Sequence, residues 1–177
     1  MLLLSKSVTN QQVLSLRTGG MVANALRPIF NPDNLKIVGF HCEDSVSKTH
    51  LILVSQDIRE HIAQGFIVDD FDVLSEPKDL VRLQKIIEID FELPGKSVGS
   101  KAQPKIGKVV DYAVDSETLF VQKLYVGQSM LKNLSHGQLS VDRNQIVSVT
   151  DKKITIKDLL QPTPARTQQP LTKPAMS

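Results

Sequence analysis

The chain is broken into short apolar runs, and no stretch sustains a helical repeat for the length of an ordinary helix. The runs cover residues 35–40, 51–54, 65–68, 108–114, 119–126, 138–141, 146–149 and 153–157. Most span about four to eight residues, are rich in β-branched side chains and are bounded by Asp, Asn, Ser or Gly, which is the pattern of strands. The joints between them read as turns. Asn31-Pro32-Asp33-Asn34 carries a Pro with flanking Asn and Asp. Residues 115–118 and 150–153 separate strand runs as hairpin loops do. Helical signals are weak. Ile58 and Ile62 are four apart, which suggests about one turn over residues 55–62. Residues 76–85 suit a short helix with Pro77 at its first position. Residues 129–134 suit another turn. An all-β barrel or sandwich is expected.

Aliphatic side chains are expected to build the core, because Trp is absent and the chain has two Tyr and six Phe in 177 residues. The halves resemble each other. At an offset of about 88, Leu51 and Leu53 fall on Leu139 and Val141, Ile58 on Ile146, and Phe66 and Val68 on Ile154 and Ile156. Further upstream the offset shrinks, so that Leu35 and Ile37 match Leu119 and Val121, and Leu16 matches Leu93. Apolar positions keep their parity within each block, which matters because a one-residue slip exchanges the faces of a strand. Two related units are expected, at about residues 10–80 and 90–160. Units of about 80 residues bury little surface, so the two are expected to pack together.

The second half reads Leu93-Pro94-Gly95-Lys96-Ser97-Val98, then Lys105-Ile106-Gly107-Lys108-Val109-Val110-Asp111-Tyr112. It continues Leu119-Phe120-Val121-Gln122-Lys123-Leu124-Tyr125-Val126 and closes on Ile146-Val147-Ser148-Val149 and Ile154-Thr155-Ile156. This half resembles the PRC-barrel family across nearly all its length. The first half is more divergent, with Gly19-Gly20-Met21-Val22 standing where the opening is expected. The resemblance implies an all-β chain of two tandem small PRC-barrel-like β-barrels with short helical connections. The divisions are residues 1–85, 86–160 and a tail, 161–177. Gly95 and Gly107 are expected to be structural, allowing positive φ or close backbone approach at bends. The tail is Pro-rich and poor in apolar groups, so it is expected to be disordered.

Few chemical functions fit. No phosphate-binding loop, dinucleotide fingerprint or hydrolase motif occurs, so no catalytic role and no cofactor is expected. His41, His50, His61 and His136 show no metal-ligand spacing, and no metal is expected. Cys42 is a lone cysteine, expected to be structural in a reducing compartment, and His41 beside it would point to the opposite face of a strand. Asp69, Asp70 and Asp72 form an acidic cluster expected to be a solvated turn, and Asp111 and Asp115 are read as strand-edge and turn residues. The first apolar run at the N-terminus is too short for a signal-peptide core, and no segment is long enough to span a bilayer, so a cytoplasmic protein is expected.

Net charge is +2, too small for nucleic-acid binding by bulk electrostatics. Lys96, Lys101, Lys105 and Lys108 nevertheless cluster around the opening of the second unit, with Lys152, Lys153 and Lys157 near its end. The expected function is a non-catalytic protein-binding adaptor, and the resemblance points to assembly or maturation of larger complexes. The alternative is an RNA- or ribosome-associated factor touching phosphates through those lysines. Neither a membrane nor a small-molecule substrate is expected as partner. Phe40, Phe120 and Tyr125 are the candidate anchors for a partner.

Overall fold

A computed structural model describes residues 1–128 and 138–159. The expected turn at 129–134 and the Pro-rich tail at 161–177 lie outside those residues. The described chain is mostly β, in two seven-stranded sheets. The strands are β1 Leu2–Leu4, β2 Gln11–Ser15, β3 Met21–Asn31, β4 Lys36–Asp44, β5 His50–Val54, β6 Ile58–Ile62, β7 Gly65–Val68 and β8 Leu74–Ser75. After helix α1, Gln84–Ile89, come β9 Ser97–Ser100, β10 Gly107–Asp115, β11 Val121–Gln128, β12 Gln138–Asp142, β13 Ile146–Val149 and β14 Lys153–Ile156. Among the described residues no helix is long and apolar enough to cross a membrane.

The two sheets share one strand order. The first runs β6-β7-β2-β3-β4-β5-β8 and the second β13-β14-β9-β10-β11-β12, with β1 added to β10. Parallel pairing fixes the correspondence, because Gln12 lies opposite Gly65 as Ser97 lies opposite Lys153. That register sets Val8 against Leu93 and Asn10 against Gly95, correcting the match of Leu16 with Leu93 and of residues 19–22 with the second opening. Val8 and Leu93 are both fully buried, whereas Leu16 is exposed. Asn10 (φ 54°) and Gly95 (φ 83°) both take the left-handed conformation, which Asn tolerates better than most residues.

The long strands bend at matching places. β3 slips register between Ala25 and Arg27 and again between Ile29 and Phe30. β10 slips between Val109 and Asp111 and between Ala113 and Val114. Such bulges sharpen twist and turn one side chain outward, and Leu26 and Val110 are the exposed residues at the first slip of each strand. Pro28 fits in β3 because beyond Leu26 that strand pairs, among the described residues, with β4 alone, so one missing donor is tolerated.

Residues 55–62 form a single 3-10 turn, Ser55–Asp57, followed by β6, rather than a helix. Ile58 and Ile62 are both half-buried and pair with Val68 and Gly65 of β7, so pairing overrides the four-residue spacing. Residues 76–85 likewise form two 3-10 turns, Pro77–Asp79 and Val81–Leu83, and α1 begins only at Gln84.

The sheets are tied to each other. The Ile37 amide donates to the Leu119 carbonyl at 2.9 Å, and the Val121 amide donates to the Leu35 carbonyl at 3.0 Å. Leu35 (φ 53°) and Leu119 (φ 58°) take the left-handed conformation after their loops. Leading segments also cross over, since β1 pairs with β10 while α1 and Asp90 pack on β3, where Arg27 Nη1 meets Asp90 Oδ1 at 2.7 Å. β1 therefore belongs with the second sheet, although it falls within the expected first division. One buried cluster runs through both sheets. It is mainly aliphatic, as composition requires, but holds five rings, Phe30, Phe40, Phe66, Phe91 and Tyr112. Phe30 stands edge-on to Tyr112 at 5.3 Å and to Phe91 at 6.4 Å.

Candidate protein-docking groove

The broken linker after β8 creates a groove. Leu80, at φ −94° and ψ 66°, interrupts helical geometry between the two 3-10 turns. The interruption holds Leu80, Val81 and Leu83 over the β4–β5 side of the first sheet, where Val38 and Val54 complete an apolar lining. The space encloses about 460 Å³. Val81 is 81% exposed. Val81 therefore stands as an exposed aliphatic side chain beside an apolar lining that nothing else among the described residues covers. The rim carries Lys36, Arg82 and Asp79, with Ser55 and Gln56 between. Among the described residues neither Lys36 nor Arg82 has a carboxylate within salt-bridge reach. Lys36 Nζ lies 5.3 Å over the Phe120 ring, on whose other contact Arg143 sits at 4.7 Å.

Of the three candidate anchors, Phe40 is fully buried and packs on Phe66 at 4.6 Å, so it cannot meet a partner. Phe120 is half-buried beneath Lys36 and Arg143, and Tyr125 is half-buried on β11 opposite Ser140. Val81 was not singled out from sequence because it sits in residues 76–85, a stretch read as a short helix on the strength of Pro77.

The lysines divide. Lys96 Nζ donates to the Asp151 carbonyl and lies 4.4 Å over the Phe91 ring, so its charge holds the β13–β14 loop against the chain entering β9. Lys108 is exposed on β10, and across the sheet Lys108, Ser97 and Lys153 are successive partners on one row. Lys101 and Lys105 are exposed in the β9–β10 connection. The Asp158 carboxyl is held below its ordinary range, first by the Ala102 amide, then by the Ser100 hydroxyl and least by the Lys101 charge. The glycines differ in kind. Gly95 needs its positive φ and has open space where a Cβ would go, whereas a Cβ on Gly107 would overlap the Gly127 carbonyl.

The titratable groups are mostly committed to structure. Asp69 accepts from Arg59 at 2.8 and 2.6 Å, and Asp70 accepts from Ser15 at 3.0 Å and Arg17 at 3.2 Å. Asp115 accepts the amides of Glu117 and Thr118, closing its loop, and Asp111 accepts the Tyr112 amide. Burial pushes the Cys42 thiol up to about 12, which disfavours the nucleophilic thiolate. His41 and His50, nine residues apart, meet across β4 and β5 with Nδ1 and Nε2 2.9 Å apart. Burial, then the Arg27 charge, pushes His41 down to about 4. Among the described residues no group of three or more His, Cys, Asp or Glu is placed to hold a metal ion.

No family model matches this chain, and no curated protein matches it either.

Proposed function

We propose that this chain is a non-catalytic protein-binding adaptor of PRC-barrel type, two tandem barrel-like units acting in the cytoplasm, and that the groove beside residues 77–83 takes an extended acidic peptide of a partner protein. The observation that carries the reading is the exposed Val81 over an apolar lining, with Lys36 and Arg82 lacking carboxylate partners among the described residues. An aliphatic anchor from the partner would cover Val81, and a carboxylate beside it would meet the two cations. The common strand order of the two sheets and the shared buried cluster support a rigid platform, which keeps the ordering cost of binding low. The charged groups of the groove, Lys36, Arg82 and Asp79, leave a net positive rim that suits a carboxylate-bearing peptide.

The row of Lys108 and Lys153 flanking Ser97 favours RNA as the second reading. Affinity capture with the tagged full chain separates the two. A protein retained after RNase treatment, and reduced at least about fivefold by Val81→Asp with Arg82→Glu, is the expected result, since losing an interface contact of about 1 kcal/mol costs that much affinity. Capture that RNase abolishes, or that ignores both substitutions, overturns the adaptor reading. Loss on Lys108→Glu with Lys153→Glu would then assign the lysine row instead.

A further inference from the structure

β5 and β12 hold the same place in their sheets, but among the described residues their outer edges differ. β5 is covered by β8, with Ile52 opposite Ser75 and Leu53 opposite Leu74. Among the described residues β12 pairs with β11 alone. Two other outer strands, β6 and β13, are guarded. β6 carries Arg59 and Glu60 and slips register between Ile58 and Glu60, and β13 slips between Ile146 and Ser148. Bulges and charges of this kind are how sheet edges avoid joining other strands. β12 has neither device along its middle. Its five residues pair with β11 without a slip, and its single charge, Asp142, sits at the end in an ion pair with Lys123 at 3.1 Å.

We propose that β12 is a self-pairing edge through which two copies of this chain form a dimer. The occupant follows from the sequence of the strand itself. Two copies of Gln138-Leu139-Ser140-Val141-Asp142 can pair antiparallel about a two-fold axis at Ser140. Leu139 then lies opposite Val141 of the second copy, Ser140 opposite Ser140, and Gln138 opposite Asp142. This register places apolar residues opposite apolar ones, and no carboxylate faces another. A two-fold interface must be self-complementary in this way.

The rows behind the edge continue the match. On the inner face Leu124 is partnered by Val141, and Val126 by Leu139. Across the axis the row Leu124-Val141 runs on into Leu139 and Val126 of the second copy. Leu139, half-buried at the edge, gains cover on its open side. On the outer face Tyr125 and Ser140 continue into Ser140 and Tyr125 of the second copy. Backbone bonds join the two sheets into one, and these rows set the register.

Sedimentation velocity on the full chain across a concentration series reads the outcome directly. The expected species has twice the 19.6 kDa chain mass and dissociates on dilution. Gln138→Glu places a second carboxylate opposite Asp142, twice per dimer, and weakens association about 2- to 30-fold. Gln138→Lys places a cation there and strengthens it by a similar factor. Both substitutions lie at an exposed position, so the fold is retained, and circular dichroism confirms it. A single-chain mass at every concentration up to about 1 mM (a free energy of association too small to matter) overturns the proposal. A dimer indifferent to both charges at position 138 also overturns it, because the contact would then lie elsewhere.

Discussion

Replacing Phe30 examines whether the two sheets fold as one body. Phe30 is 3% exposed and lies on β3, yet its edge contacts reach Tyr112 on β10 and Phe91 in the chain entering β9. Truncating a buried Phe to Ala removes its transfer free energy and leaves a cavity, together about 3–5 kcal/mol. The two edge contacts account for about 0.5–1.5 kcal/mol each of that figure. Against a total stability of about 5–15 kcal/mol for a chain of this size, the loss shifts the midpoint of urea unfolding far outside experimental error. Native-state hydrogen exchange adds the location. If one core serves both sheets, Phe30→Ala lowers the opening free energy of β4 and of β11 by the same amount. The double cycle of Phe30→Leu with Tyr112→Leu isolates the ring contact, with an expected coupling of about 0.5–1.5 kcal/mol. A loss below about 1.5 kcal/mol, or destabilisation confined to the first sheet, refutes the shared core.

The pH dependence carries its own sign. The folded His41 pKa, about 4, lies below the ordinary 6.5, because burial and then Arg27 and His50 disfavour the charged ring more than Asp90 favours it. The unfolded chain therefore binds the proton first, so stability is full above pH 6.5 and falls as pH drops towards 4, by at most roughly 3 kcal/mol. His41→Gln should flatten that part of the curve, and a slope unchanged by the substitution would contradict the assignment. Alanine at three glycines should rank by geometry: Gly107→Ala worst, at about 2 kcal/mol or more, from its conflict with the Gly127 carbonyl. Gly95→Ala follows at about 1 kcal/mol from its positive φ alone, and Gly20→Ala, whose nearest neighbour is 3.7 Å away, changes stability by less than about 0.5 kcal/mol. Arg143 donates to Val121 O at 2.9 Å and to Asn34 O at 2.7 Å, bridging the two sheets. Arg143→Ala should lower the free energy of chemical unfolding by about 1–2 kcal/mol, whereas no change would place the joint elsewhere.

The strand runs with uniform β-branched composition were legible, and each matches a strand: β4, β5, β7 and β10 to β14. β3 was hidden because Asn24, Arg27 and Pro28 interrupt its apolar pattern, and only the two bulges explain how one strand accommodates them. β6 was misread because its two Ile are also four apart, a spacing that fits a helix and an edge strand with a bulge equally well. The His41–His50 meeting depends on the β4–β5 register, which linear spacing does not reveal. The left-handed Leu35 and Leu119 were out of reach for a related reason. Their side chains are needed in the core, so no Gly marks the turn. The lysine cluster was legible as a count but not as a surface, because Lys96 turns inward onto Asp151 and Phe91 while Lys108 joins Lys153. The groove was the least legible feature, since it arises where residues 77–83 fail to become a helix.

The most direct measurement of the docking account is photo-crosslinking from position 81 in cell lysate, with position 46 as control. Val46 is 88% exposed in the β4–β5 connection, away from the groove lining. Benzoylphenylalanine replacing Val81 should give one defined protein adduct that survives RNase and is absent from position 46. Equal adduct patterns from both positions, or adducts only to RNA, would contradict a peptide-binding groove at residues 77–83.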